Sequence, residues 1–314
     1  MGQSIKVAVC SRSFSRNPVL RAELLAKYPN VTFNDEGISL KGDGLVAFLQ
    51  GHEKAIVALE TVDDSILSRL PDLKVVSKYG VGLDTIDFAA LRAHGKRLGW
   101  TGGVNRRSVA ELVISFAIAM LRRVPAAHRE VLAGTWRQHV GGNLSGRTVG
   151  IIGCGHVGKD LAPLLRAFGC KVLVHDVLSF PDFYAKHGLE PADLESLLSR
   201  SDVVTLHVPL DGSTRGLLSA RRLALLKPTA VLINAARGGL VDEVALKKML
   251  KGGRLAGAAF DVFAIEPPED AELLSLPNFL ATPHIGGSSE EAILAMGRAA
   301  IAGLDENRIP AEKS

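Results

Sequence analysis

The sequence has little of several features that mark particular classes of protein. Only three of its 314 residues are cysteine, and Cys10, Cys154 and Cys170 lack the spacing of a metal site or redox motif. Such a sparse, odd set favours a reducing compartment over a secreted disulfide framework. The excess of basic over acidic residues is small, 37 against 33, and scattered. We therefore expect no nucleic-acid-binding face.

The chain also has no long apolar run. The longest, residues 112–121, is about half the length that crosses a bilayer. The first residues show no signal-peptide pattern before the strand-like run 5–10. We expect a cytoplasmic protein with no membrane partner. Hydrophobic residues make up 47% of the chain, and its length predicts about two domains.

Short β-branched runs alternate with segments of helical period along the chain. Strands alternating with helices predict parallel sheets with right-handed crossovers. The sequence therefore predicts an α/β protein with two doubly wound parallel-sheet domains of Rossmann or flavodoxin type, and a seam near residues 100–104. The strand candidates are residues 6–10, 31–34, 55–59, 74–78, 148–153, 171–175, 203–206, 230–234 and 255–261, and the early helix candidates are 18–28 and 63–70.

Residues 108–121 lie where the two halves join. Ser108 and Glu111 have the spacing of a capping box. The residues that follow are apolar on nearly every side, so a helix here must be covered on more than one face. Two interpretations stay open: a central core helix, or a helix that is also shared with a second subunit.

Three glycines form the clearest motif. Gly153, Gly155 and Gly158 have G-x-G-x-x-G spacing directly after a strand candidate and just before a helical segment, residues 159–168. The first glycine makes a tight turn, the second lets the backbone approach a pyrophosphate, and the third allows close packing of helix on strand. The helix N-terminus adds unpaired N–H groups for the anion. The motif predicts a dinucleotide site.

Asp176 indicates which dinucleotide is bound. It ends the next strand candidate, where an acid hydrogen-bonds the two hydroxyls of an adenine ribose. No Lys or Arg follows until Lys186, so nothing nearby would receive a 2′-phosphate. NAD is predicted over NADP. Cys154, inside the turn, is expected to be an inert small side chain.

Three later segments each follow a strand candidate and would leave the carboxyl edge of the sheet. They are residues 234–242, 261–267 and 282–287. Together with residues 78–84 they resemble the NAD-linked D-2-hydroxyacid dehydrogenase family, most closely its phosphoglycerate dehydrogenase-like branch. The resemblance extends over residues 55–289, with the motifs in matching order and at matching separations.

This resemblance implies three catalytic residues. His284 would be the general acid/base that exchanges a proton with the substrate oxygen. Glu266 would orient the imidazole and favour its protonated form. Arg237 would bind the carboxylate of a 2-oxo acid with its planar fork of donors.

The resemblance also implies the binding residues. The substrate carboxylate would be bound by backbone N–H groups of Gly80, Val81 and Gly82 beside Lys78, together with Arg237 and His284. Asp261 would hold the nicotinamide carboxamide, and no metal is expected. The full cofactor set implied is Gly153, Gly155, His156, Val157, Gly158, Asp176, His207, Val208, Pro209, Thr214, Ala235, Ala236, Arg237, Asp261, His284 and Gly287.

The same resemblance implies a layout. Residues 1–103 and 288–314 would form a discontinuous substrate domain, with a C-terminal helix at 288–304. Residues 104–287 would form the NAD-binding domain, with a cleft between the two. A homodimer built on the NAD-binding domain is expected, in agreement with the apolar helix after Ser108.

The substrate is left open between two candidates. Lys78, Arg106 and Arg107 could serve a phosphate, which favours 3-phosphoglycerate. Glu60 stands where phosphoglycerate enzymes tend to place an arginine, and an acid there would repel a phosphate. Hydroxypyruvate or glyoxylate is the alternative, in which case those cations are surface charge. A distant alternative is an NAD-sensing corepressor-like binding protein of the same fold, which would bind NAD(H) with negligible turnover.

Overall fold

The computed structural model describes residues 5–311, which form two compact units. The first contains the described residues up to Asn105 and from Ser289 onward, and the second is Arg106–Ser288. Each unit is built on one parallel β-sheet with helices packed against it. The predicted fold class, two parallel-sheet α/β domains, is confirmed. No helix in the described part of the chain is long and apolar enough to span a membrane.

The first unit has a five-stranded sheet in the order β2-β1-β3-β4-β5. Its strands are β1 (Lys6–Val9), β2 (Asn30–Phe33), β3 (Lys54–Val57), β4 (Val75–Lys78) and β5 (Arg97–Gly99). Its helices are α1 (Arg12–Arg16), α2 (Pro18–Lys27), α3 (Gly42–Leu49), α4 (Asp64–Leu67), α5 (Phe88–Ala93) and α14 (Glu290–Gly303).

The central strands β1, β3 and β4 are buried on both faces of this sheet because they are apolar at successive positions. Along β1, Val7 and Val9 join one hydrophobic cluster, while Ala8 and Cys10 join the cluster on the other face. Helix α14 closes the first of these faces, where Gly99 lies so close to Gly303 that a Cβ on Gly99 would overlap the Gly303 carbonyl. The helix therefore packs directly on the sheet that carries the residue 78–84 turn.

The second unit has a seven-stranded sheet in the order β12-β11-β10-β9-β6-β7-β8. Its strands are β6 (Thr148–Ile152), β7 (Lys171–His175), β8 (Glu190–Pro191), β9 (Val203–Leu206), β10 (Val231–Asn234), β11 (Gly257–Phe260) and β12 (Phe279–Ala281). Its helices are α6 (Arg106–Leu121), α7 (Val124–Leu132), α8 (His156–Ala167), α9 (Pro181–His187), α10 (Leu194–Arg200), α11 (Ala220–Leu223), α12 (Glu243–Lys251) and α13 (Ala271–Ser275).

The strand order of the second unit places a switch point at β6. Later strands extend on one side of β6 from β9 to β12, and β7 and β8 extend on the other. Ligands of doubly wound sheets bind outside the carboxyl ends of the strands at such a switch point. The glycine-rich turn follows β6 and so lies at this position.

Helix α6 corrects one prediction. It begins at Arg106, so Ser108 lies in its first turn and does not cap it with Glu111. One face, which includes Val113, Phe116 and Met120, is buried in the core of the unit, as a core helix requires. The role of the helix in a second subunit stays a prediction.

Other boundaries move by a few residues, because capping groups set helix ends more sharply than apolar patterns do. The helix predicted over 288–304 begins at Glu290, since the Ser289 side chain caps it by accepting the N–H of Ala292 at 3.1 Å. The helix predicted from 159 begins at His156, directly after Gly155. Strands β7 and β9 have the predicted bounds.

Candidate active site

The glycine-rich turn between β6 and α8 depends on glycine for its shape. Gly153 has a left-handed φ of 102°, and a Cβ there would meet the backbone of His207. A Cβ on Gly158 would overlap the carbonyl of Gly153. A Cβ on Gly155 would have no atom of residues 5–311 within 4 Å, apart from Gly155 itself and its chain neighbours. Backbone N–H groups at the start of α8 therefore face an approach that no side chain blocks, which fits a pyrophosphate.

Asp176 holds this turn from the end of β7. One carboxylate oxygen accepts the N–H of Cys154 at 2.5 Å, and the other accepts the N–H of Leu178 at 2.8 Å. Val177 and Leu178 are apolar and exposed, so the stretch after Asp176 fits a ribose with free hydroxyls better than a 2′-phosphate. Burial raises the pKa of the Cys154 thiol to about 11, which keeps it protonated and unreactive.

The turn after β9 carries the next predicted cofactor residues. His207 lies within 2.9 Å of the Thr205 hydroxyl, and burial lowers the pKa of His207 to about 3, so its ring is neutral. Val208 packs against the core. The Thr214 hydroxyl donates to the Pro209 carbonyl at 2.7 Å, which fixes the exposed turn beside the glycine-rich turn.

Arg237 lies in a turn organised by the end of β10. Asn234 donates from Nδ2 to the Arg237 carbonyl at 2.8 Å and accepts the N–H of Ala236 at 3.2 Å. The Arg237 guanidinium donates from Nη1 to the Ala236 carbonyl at 2.7 Å. Ala235 and Ala236 are half-buried in the same turn. Asn234, which orders the turn, is absent from the sequence-predicted site.

His284 and Glu266 form the predicted pair. His284 Nδ1 lies 2.9 Å from Glu266 Oε2, and both side chains are exposed. His284 has a left-handed φ of 55°, which is uncommon outside glycine and costs energy. Both side chains of the pair are therefore accessible to a ligand. The strained backbone of His284 must be held in place by neighbouring groups.

Asp261 supplies much of that restraint. Its buried carboxylate accepts the Thr282 hydroxyl at 2.5 Å and the backbone N–H groups of Ile285 and Gly286, each at 2.7 Å. These bonds bracket His284 on both sides. Holding the nicotinamide carboxamide stays a prediction for Asp261, because these three hydrogen bonds of its carboxylate are to the His284 turn. Gly287 is half-buried in that turn.

A cavity of about 400 Å³ adjoins the pair. Its lining is mostly apolar and includes Phe263, Pro267 and Pro283 beside Glu266 and His284. Among residues 5–311 no group of three or more His, Cys, Asp or Glu is placed to hold a metal ion.

The predicted substrate residues Lys78, Gly80, Val81 and Gly82 belong to the first unit. Gly80 has a φ of 127°, and the Val81 carbonyl accepts the indole N–H of Trp100 at 3.1 Å. Lys78 is buried, and its ammonium donates to the Ala58 carbonyl and, at 3.0 Å, to the Thr85 hydroxyl. Lys78 therefore ties the ends of β3 and β4 together.

The other candidate phosphate cations belong to the second unit. Arg107 donates from Nε to Asp160 at 2.7 Å, and Arg106 Nε lies 3.8 Å from the same carboxylate. In the first unit, Glu60 accepts the Ala58 N–H at 2.6 Å, so its carboxylate folds back over the end of β3.

The second unit gathers most of the predicted site at one sheet edge. Strands β9 to β12 are consecutive neighbours, so the turns with Thr214, Arg237, Glu266 and His284 leave the same edge as the glycine-rich turn. Comparison with known proteins identifies this arrangement. The model of the NAD-binding domain of the D-isomer specific 2-hydroxyacid dehydrogenases matches residues 114–286. The chain belongs to this family.

Two relatives and one structure illustrate the match to the D-2-hydroxyacid dehydrogenases. Glycerate dehydrogenase of Methylorubrum extorquens is 39% identical over 260 residues, 79% of this chain and 80% of that protein. D-3-phosphoglycerate dehydrogenase of Mycobacterium bovis is 39% identical over 234 residues, 74% of this chain but 44% of that protein. The chain thus spans less than half of the length of this mycobacterial relative.

A crystal structure described as an NAD-binding D-isomer specific 2-hydroxyacid dehydrogenase from Polaromonas sp. JS6 66 has a TM-score of 0.88. It is 32% identical and covers 96% of both chains. The predicted family, and NAD as its cofactor, are confirmed. The individual site residues stay predictions that the geometry above supports.

Proposed function

We propose that this chain is an NAD-dependent dehydrogenase that interconverts a small D-2-hydroxy acid and its 2-oxo acid. The observation that carries the proposal is the His284–Glu266 pair, 2.9 Å apart at the same sheet edge as the glycine-rich turn. More than half of the His284 side chain is exposed, so the imidazole can reach a ligand. When bound, NAD accepts or supplies the hydride.

The roles of the catalytic residues follow from their chemistry. In reduction, His284 gives a proton to the substrate carbonyl oxygen, and Glu266 stabilises the protonated imidazole through Nδ1. Arg237 binds the substrate carboxylate with its planar fork. Two hydrogen bonds of Asn234 fix the turn that contains Arg237, so the backbone position of Arg237 is defined. In oxidation the proton returns to His284.

We assign the remaining predicted roles on the same basis. The second unit, Arg106–Ser288, is assigned the NAD-binding role that the sequence predicts for residues 104–287. The first unit is assigned the substrate-binding role predicted for residues 1–103 and 288–314. The buried Lys78 supports the Gly80–Val81–Gly82 turn that is proposed to bind substrate, since it joins the strands from which that turn and its neighbour emerge.

Two substrates are candidates. The name of the mycobacterial relative favours phosphohydroxypyruvate and 3-phosphoglycerate. The contacts of the cations favour an unphosphorylated acid such as hydroxypyruvate or glyoxylate, because Arg107 and Lys78 are already engaged by Asp160 and by Ala58 and Thr85. Glu60 near the end of β3 adds negative charge, which also disfavours a phosphate.

A substrate panel tests the proposal. The purified protein is assayed for NADH oxidation with phosphohydroxypyruvate, hydroxypyruvate, glyoxylate, pyruvate and a bulkier 2-oxo acid, each repeated with NADPH. We expect turnover of at least one acid and a higher kcat/KM with NADH. Preference for NADPH would refute the role of Asp176. NADH binding without turnover of any acid would refute the dehydrogenase and favour a corepressor-like binder.

We also propose a homodimer through the NAD-binding domain, in the cytoplasm. Helix α7 has no buried residue, and it exposes Val131 and Leu132. Trp136 and Val140, which follow it, are 86% and 88% exposed. Apolar patches of this kind mark interaction surfaces. Light scattering should give twice the 33.4 kDa chain mass, and Trp136→Asp should lower it, whereas a monomeric wild type would refute the proposal.

A further inference from the structure

The turn of residues 263–266 carries Glu266 and is held by contacts from the rest of the unit. Within the turn, the Phe263 N–H donates to Glu266 Oε1 at 3.1 Å. Gly238, the neighbour of Arg237, lies so close to the backbone of Phe263 and Ala264 that a Cβ at 238 would overlap it. The Arg237 turn and the Glu266 turn therefore share a backbone contact.

Glu243 supplies a second contact, from the first turn of α12. Its Oε1 accepts the N–H of Ala264 at 3.2 Å. Asp242 already caps the helix by accepting the N–H of Ala245 at 2.9 Å, so Glu243 is not needed as the cap. None of the roles assigned above uses Glu243.

Glu243 is enclosed by neighbouring residues of its own unit at the point where it accepts the Ala264 N–H. The residue is half-buried, and burial, together with nearby Asp270, raises the pKa of Glu243. Lys247, one turn further along α12, pairs with Asp270 at 2.8 Å and Glu272 at 3.0 Å. The charged group that acts on Glu243 is thus Asp270, which itself pairs with Lys247, and the Ala264 N–H donates to the Glu243 carboxylate.

We propose that Glu243 is a positioning residue, which fixes the 263–266 turn through Ala264 and thereby directs the Glu266 carboxylate at His284. Three hydrogen bonds connect Glu243 with His284. The Ala264 N–H donates to Glu243, the Phe263 N–H donates to Glu266, and Glu266 in turn is hydrogen-bonded to His284 Nδ1. Because Glu266 and His284 are both exposed, water competes for their hydrogen bond. The rigidity of the turn then decides how often the pair is formed. This inference rests on the proposed function.

The test compares three variants. Glu243→Ala removes the acceptor, Glu243→Gln keeps an acceptor oxygen, and Glu272→Ala removes a neighbouring carboxylate that pairs with Lys247 but is described in no contact with the turn. Glu243→Ala should lower kcat by about tenfold, the loss of one hydrogen bond. Its KM for NADH should change little, and its pH optimum for reduction should move toward acid. Glu243→Gln should restore kcat to within about threefold, and Glu272→Ala should match the wild type.

Three results would overturn the proposal: unchanged kcat and pH profile in Glu243→Ala, a Gln variant as impaired as the Ala variant, or equal impairment in Glu272→Ala. A readout independent of turnover separates this failure from failure of the dehydrogenase itself. In ¹³C-histidine NMR spectra, with His284 assigned through His284→Gln, Glu243→Ala should move the ring resonances of His284, and Glu243→Gln should not. No movement overturns the positioning role even if the wild type proves inactive on every 2-oxo acid.

Discussion

Replacing Asp261 by Asn tests how the His284 turn is held. The carboxylate accepts three hydrogen bonds within the turn, from the Thr282 hydroxyl and from the N–H groups of Ile285 and Gly286. An amide has one acceptor oxygen in place of two. At least one buried backbone N–H therefore loses its acceptor and faces an N–H donor instead. Such an unsatisfied group costs roughly 1–3 kcal/mol.

The loss of these hydrogen bonds should lower activity because His284 has a strained, left-handed backbone conformation. A residue in this region stores roughly 1–3 kcal/mol of strain, and the bonds to Asp261 offset it. If about 2 kcal/mol of restraint is lost, the equilibrium constant between the form with His284 in place and the form with it displaced falls about 30-fold. We expect kcat of Asp261→Asn to fall by about that factor.

The assay is steady-state NADH oxidation with the best 2-oxo acid, with kcat and the KM for NADH measured separately. Asp202→Asn is the matched control, because Asp202 also accepts a backbone N–H, from Thr148 at 2.9 Å, and an ammonium proton from Lys227. It should lower thermal stability without lowering kcat. A kcat for Asp261→Asn within about threefold of wild type would refute the reasoning. A KM for NADH that rises as kcat falls would instead support contact with the nicotinamide.

Three further predictions address single residues. His284→Gln should lose on the order of 10²–10⁴ in kcat, and near-native activity would remove it from the acid/base role. Glu266→Gln should move the pH optimum for reduction toward acid, because an amide no longer favours the protonated imidazole; an unchanged profile would contradict this. Burial alone would raise the pKa of Asp305, but hydrogen bonds led by those from Lys27 and Lys54 lower it well below its usual range. Asp305 therefore stabilises the fold above the ordinary Asp pKa of about 4, and this contribution is lost as the pH falls through the lowered value. Asp305→Asn should reduce Tm at neutral pH, with a difference from wild type that shrinks in acid, and a Tm difference independent of pH would contradict the ion-pair account.

In the second unit, the bounds of a strand are readily predicted from the sequence where an apolar run ends at a polar residue. Strands β7 and β9 have their predicted bounds, and the glycine spacing places the turn before α8 because Gly153 and Gly158 admit no side chain. Strands β8 and β12 are absent from the strand candidates, since Glu190 and Pro191 carry no apolar periodicity and Phe279–Ala281 is only three residues long. The start of α6 at Arg106 was missed because Ser108 and Glu111 imitate a capping box.

The site is less predictable from the sequence where contacts between distant residues decide the conformation of a turn. A histidine gives no sequence signal for the left-handed φ of His284, and the burial of Asp261 against that turn depends on how β11 and β12 pair. Glu243 follows a predicted motif, yet its contact with Ala264 joins residues 21 positions apart. Asn234 could have been noted as a polar strand end, because such side chains commonly bond the backbone two or three residues on.

The most direct test of the central claim is an analysis of the reaction product. Wild-type protein and His284→Gln are incubated with NADH and the preferred 2-oxo acid other than glyoxylate, whose product has no stereocentre. The hydroxy acid is resolved by chiral chromatography while NADH loss is followed by absorbance. The account predicts one equivalent of the D-2-hydroxy acid per NADH oxidised by the wild type, and at least a hundredfold less from the variant. Formation of the L-enantiomer, or NADH loss that is equal in both proteins, would contradict it.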